Sequence, residues 1–96
     1  MARARSRSET RSVSLGEDLR IGRASEVAAM FAGVEAGAVE IDASRVSRVD
    51  AAGLQAVVAG IARLRAAKVK CRWGAVSEAF AQSAKVAGLA KALGVE

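Results

Sequence analysis

The sequence predicts one small α/β domain whose mixed, largely parallel sheet is covered by helices, and three observations support that class. Apolar residues recur with period two in some stretches and at spacings of three and four in others, and the two kinds of stretch alternate along the chain. The connections between them are short, so successive strands and helices form right-handed crossovers onto a parallel sheet. With 96 residues the chain holds a single core, because a chain of this size buries roughly 60% of the surface its unfolded form exposes.

Residues 1–12 are rich in arginine and serine with little to bury, which predicts a basic, disordered tail ahead of a domain spanning 13–96. Val13 and Leu15, then Leu19 and Ile21, alternate around Gly16-Glu17-Asp18 and read as two short antiparallel strands in a hairpin. From Arg23 the period changes. Ala24, Val27, Ala28, Phe31 and Val34 form one apolar stripe on a helix that Gly37 ends, with Ser25 as a candidate cap and Gly22 as an earlier alternative. Val39 and Ile41 alternate with Glu40 and Asp42 in a strand, and residues 43–49 lead to the next helix. That helix carries Leu54, Val57, Val58, Ile61 and Leu64 on one face and is the most clearly amphipathic stretch. Val69, Cys71 and Trp73 then alternate with Lys68, Lys70 and Arg72, giving a strand with one buried and one basic face that suits a sheet edge and closes at Gly74. Ser77 caps a last helix with Phe80, Ala84 and Ala87 inward, Gly88 stops it in a left-handed turn, and residues 89–93 add a final short turn.

Composition removes several kinds of chemistry. The chain has one cysteine and no histidine, so an internal disulfide, a cysteine–histidine dyad, histidine general-base catalysis and a zinc site of ordinary ligand count all lack their parts. The carboxylates are scattered singly, and no glycine-rich loop with a lysine and hydroxyl cradles a phosphate, so the expectation is a non-enzyme without metal or cofactor. Cys71 is expected as a small buried hydrophobe. The longest apolar run, between Asp50 and Arg63, falls short of a membrane span, and no apolar segment follows the N-terminal arginines as a secretory signal requires; a cytoplasmic address is expected. Of the formal charge of +5, Arg3, Arg5, Arg7 and Arg11 against Glu9 account for +3, which leaves the folded part nearly balanced.

The segment from Val39 through Asp42, the loop Ala43-Ser44-Arg45-Val46-Ser47-Arg48-Val49, and Asp50-Ala51-Ala52-Gly53-Leu54 resembles the signature of the STAS family, which anti-sigma-factor antagonists and sulfate-transporter tails share. There a strand ending in aspartate leads through a loop to an Asp-Ser/Thr-Ser/Ala-Gly-Leu helix start. The resemblance implies the STAS fold and a non-catalytic interaction module. Its partner would be an anti-sigma or kinase-like protein, a chemotaxis component or a transporter ATPase, docked at the helix start and the loop before it. Carried onto this chain, the partner-binding residues are Ser44, Arg45, Ser47, Arg48, Asp50, Ala51, Ala52 and Gln55. The family's phosphorylatable hydroxyl falls at Ala51, and Ala52 offers no substitute, so that switch is absent here; a permanently unphosphorylated-like state, a branch without the switch and a substituted residue all stay open.

Asp50 also has a purely structural explanation as a helix cap, and Gly53 as a point of close helix approach. Ser44 and Ser47 are alternative phosphate acceptors, flanked by Arg45 and Arg48. The closing segment, with Trp73-Gly74-Ala75-Val76-Ser77 and Ala87-Gly88-Leu89, resembles single-domain bacterial STAS proteins of signalling systems and also STAS subunits that support lipid-transport ABC ATPases. A weak electrostatic nucleic-acid or membrane-surface role rests on the arginine tail and on Arg63, Arg65, Lys68, Lys70 and Arg72, which read more simply as a solvated face. No specific nucleic acid is expected, and a homodimer is left open.

Overall fold

The computed structural model describes residues 10–34 and 37–95. Strand β1 (Thr10–Ser14) is followed by β2 (Asp18–Leu19), a 3₁₀ turn (Ile21–Arg23) and helix α1 (Ala24–Ala32). Next come β3 (Ala38–Ala43), β4 (Arg48–Val49), α2 (Ala51–Ala66), β5 (Lys70–Val76), α3 (Glu78–Val86) and α4 (Ala90–Leu93). Two parallel sheets result, one ordered β1-β3-β5 and a small one of β2 and β4.

The central strand is the one whose alternation is cleanest. Val39, Ile41 and Ala43 are fully buried while Glu40 and Asp42 lie half-exposed between them. On the flanking strands Val13, Cys71 and Trp73 continue the covered face, and Ser12, Ser14, Lys70 and Arg72 continue the open one. β5 is an edge strand, as its basic outer face predicts. Trp73 is held inward by its indole N–H, which donates to the Leu93 carbonyl at 2.8 Å, and its ring lies 5.2 Å from that of Phe80. Cys71 is half-buried rather than buried.

Helix α2 is the spine of the covering layer. Leu54, Val57, Ile61 and Leu64 are buried against the sheet and α1, joined by Phe31, Phe80 and Leu93. Two glycines on the same face set the spacing: a Cβ at Gly53 would lie 1.8 Å from the Leu19 carbonyl oxygen, and one at Gly60 would lie 2.5 Å from the Phe31 ring. Each therefore trades helix propensity for close contact.

Several expectations need correction. The hairpin does not form: β1 pairs parallel with β3, and β2 parallel with β4. Alternation reports which face of a strand is buried and carries no information about its partner, and here the hydrophobic central strand satisfies β1 better than a two-residue neighbour would. Ile21 belongs to the 3₁₀ turn and is 69% exposed. The strand begins at Thr10, ahead of the boundary expected at Val13, while residues 1–9 of the expected tail lie outside the described residues. Helix α1 ends at Ala32 with Gly33 after it; Gly37, with φ of 87°, instead leads into β3. Ala28 and Ala87 are exposed, Ser25 does not cap α1, and β5 continues past Gly74 to Val76 through an irregularity of register.

Candidate functional site

The corner where α2 begins is built by backbone hydrogen bonds. Asp50 stands in extended geometry at the N-cap; its carboxylate accepts from the Gly53 N–H at 2.7 Å, and its carbonyl accepts the Leu54 N–H at 3.1 Å. The other carboxylate oxygen accepts the Ile21 N–H at 3.1 Å, and the Asp50 N–H donates to the Leu19 carbonyl at 3.2 Å. Asp50 thus fastens the end of β2 to the start of α2. Both of its oxygens are engaged by backbone donors, so its role in the corner is positional.

The loop before it is equally well held. The Asp42 carboxylate accepts the Ser44 N–H at 2.8 Å; hydrogen bonding from the Ser44 side chain first and its backbone second keeps the carboxyl below the ordinary value, with nearby Arg45 adding to the effect. Val46 plugs the core, and its carbonyl accepts the Ser77 hydroxyl at 2.6 Å, while the Ser77 oxygen caps α3 by accepting the Phe80 N–H at 3.1 Å. The Ser47 and Arg48 N–H groups both donate to the Glu17 carbonyl, and Arg45 pairs with the Glu17 carboxylate at 3.1 Å. What remains presented to solvent is Ser44, Arg45, Ser47 and Arg48 along the loop, and Ala51 and Gln55 on the outer side of α2; Ala52 is half-buried.

Asp50 and Ala51 line an open apolar groove of about 380 Å³ with Val49, Leu54, Gln82, Val86 and neighbours on α3. Asp50 also borders a second concavity on its other side, with Asp18, Arg20, Ile21 and Gly22. Ser44, Arg45, Ser47, Arg48 and Gln55 line neither. The groove's α3 wall was not among the expected residues, although a signal existed: Val86 lies two positions beyond buried Ala84, on the opposite side of a helix. Among the described residues, the large hydrophobic side chains that are exposed are Ile21 at 69% and Val86 at 78%, one on either side of Asp50-Ala51.

No group of three or more His, Cys, Asp or Glu side chains comes together among the described residues. Burial pushes the Cys71 thiol up, which favours the unreactive protonated form. Among the described residues no helix is long and apolar enough to cross a membrane.

A parallel sheet covered on one face, with a loop and capped helix start at the C-terminal ends of its strands, is the arrangement of a STAS domain. The chain matches the family described as "Mlab, STAS domain" over residues 2–95 and belongs to it. In three dimensions it is similar to a sulfate transporter family protein from Wolinella succinogenes, with a TM-score of 0.74 and 16% identity over 88% of this chain and 70% of that one. No curated protein matches the chain in sequence. STAS domains are generally non-catalytic, and membership makes this chain a protein-interaction and regulatory module at that level of description.

Proposed function

We propose that the chain is a non-catalytic STAS module that docks a cytoplasmic signalling protein through the corner around Ala51 and acts by occupancy, without a phosphorylation switch at that position. The observation that carries this reading is the pairing of exposed Ile21 and Val86 on either side of Asp50-Ala51. Exposed apolar side chains beside a polar rim are what a transient protein interface presents. Arg45, Arg48, Ser44, Ser47 and Gln55 supply that rim. Ala51 is exposed, so a partner approaching the helix start meets a methyl group where a hydroxyl would allow phosphate to be added. A second reading, a STAS subunit supporting a lipid-transport ABC ATPase, rests on the resemblance of the closing segment to such subunits and uses the same corner.

The test is co-purification from the producing cells followed by affinity measurement on the recovered partner. Ala51→Arg and Val86→Asp, both at exposed positions, are expected to weaken binding at least about tenfold, equivalent to about 1.4 kcal/mol, with unchanged melting; Arg65→Glu, at the far end of α2, is the control. Equal affinity for all three variants contradicts the reading.

A further inference from the structure

The opposite end of the domain carries a different surface. Because the sheet is parallel, the N-terminal ends of β1, β3 and β5 share one edge, where Thr10, Ala38 and Lys70 are in register. The C-terminus of α2 arrives at the same edge, about 24 Å from the docking corner along its sixteen residues. Exposed Arg63, Arg65, Lys68 and Lys70 gather there, none of them in an ion pair with another described residue. Glu40, two residues further along β3, is engaged by Arg72 at 3.5 Å.

Lys68 gives a second, independent observation. It takes the left-handed conformation that ends α2, with φ of 65°; its N–H donates to the Arg65 carbonyl, and the Val69 N–H closes onto the Leu64 carbonyl. Glycine is the residue that fits this position without strain. A lysine here costs conformational energy and leaves an exposed cation on the turn.

We propose that this cationic end seats on the anionic surface of a lipid bilayer, leaving the docking corner turned away from it. The arrangement favours a flat anionic surface over a nucleic acid. The cations surround the helix end instead of lining a channel: Arg63 borders α1 beside Phe31, and Arg65 reaches toward Gly94 and Trp73 on the other side. No aromatic ring is available there for base stacking, since Trp73 is tied to Leu93 and packed on Phe80, while Phe31 and Phe80 are buried. Several exposed lysines and arginines near a negatively charged leaflet each add a similar increment of attraction and need no shaped pocket.

The whole chain is to be sedimented with phosphatidylcholine vesicles containing about one-third phosphatidylserine, and with phosphatidylcholine alone. Binding is expected only to the anionic vesicles and is expected to collapse as salt shortens the screening length from about 10 Å to about 3 Å. Each cation contributes about fivefold, so Arg63→Gln with Lys70→Gln lowers the partition coefficient about 25-fold, while Arg45→Gln with Arg48→Gln leaves it unchanged. Lys68→Gly is expected to raise the melting temperature by about 4–8 °C and yet weaken vesicle binding about fivefold. Equal loss from the two double variants, binding that survives Arg63→Gln with Lys70→Gln, or tighter binding to duplex DNA than to anionic vesicles at the same salt overturns the proposal.

Discussion

Replacing Gly53 by alanine sets two physical effects of opposite sign against each other. Helix propensity alone makes Gly53→Ala stabilising by about 1 kcal/mol. The contact with β2 reverses this. The new Cβ would stand 1.8 Å from the Leu19 carbonyl oxygen, whereas real Cβ contacts essentially never fall under 3.0 Å, so the start of α2 must retreat by more than an ångström. Leu19 is fully buried and its backbone is held in β2, so the strand has little room to yield. That retreat pulls apart the Asp50 N–H bond to the Leu19 carbonyl and the Ile21 N–H bond to the Asp50 carboxylate, which bind β2 to α2. The two hydrogen bonds are worth about 1 kcal/mol each, and overpacking adds about 1–3 kcal/mol. After the propensity gain, a net loss of about 2–4 kcal/mol remains. That is a large part of the about 5–15 kcal/mol available to a domain, and it is readable as a fall in the urea midpoint at constant slope. Gly22→Ala is the matched control, because nothing lies within 4 Å of its Cβ position; it should stay within about 0.5 kcal/mol of the parent. A Gly53→Ala protein as stable as the parent, or more so, would refute the close approach of α2 to β2.

Other perturbations test neighbouring parts of the same construction. Gly60→Ala forces the buried Phe31 ring to shift, and after the gain in helix propensity the net cost should be up to about 2 kcal/mol in a denaturant titration. Asp50→Ala removes both a helix cap and the acceptor for Ile21, an expected loss of about 1–2 kcal/mol by the same measurement. The pH response follows from the lowered carboxyls. Arg20 holds Asp18 down chiefly through its side-chain hydrogen bond, and Ser44 does the same for Asp42, so each contributes stability above its unfolded value of about 3.9 that is lost as the pH falls through the lower folded value. With no histidine in the chain, melting temperature should be flat between about pH 5 and 8 and decline below about pH 4; a transition near pH 6.5 would contradict this.

The α2 face was legible because five apolar residues at helical spacing leave only one solution, and the β3 and β5 faces were legible because alternation is a direct record of burial. Strand partners were not. Val13 and Leu15 look the same whether they pair with β2 or β3, and only the long-range register resolves the choice. The Asp50 cap and the Ser77 cap could be read from residue type and position, since both place an oxygen acceptor at the third residue before a free N–H. The second duty of Asp50, receiving the Ile21 N–H, links residues 29 apart and leaves no local trace. Of the corner, the loop and the helix start were visible in the sequence. The α3 wall was visible only as an outward-facing Val86; its place in the corner was not, because Val86 joins it only when the Ser77 hydroxyl anchors α3 to the Val46 carbonyl.

The central claim, that the start of α2 and the α3 wall beside it form the gripping surface, is tested most directly by site-specific photo-crosslinking in the producing cells. Photoreactive side chains at Ala51, Val86 and Ile21 should yield adducts with one and the same protein, and one at Arg65 should not. Adducts with unrelated proteins from the three corner positions, or the common adduct arising from Arg65 alone, would contradict the account.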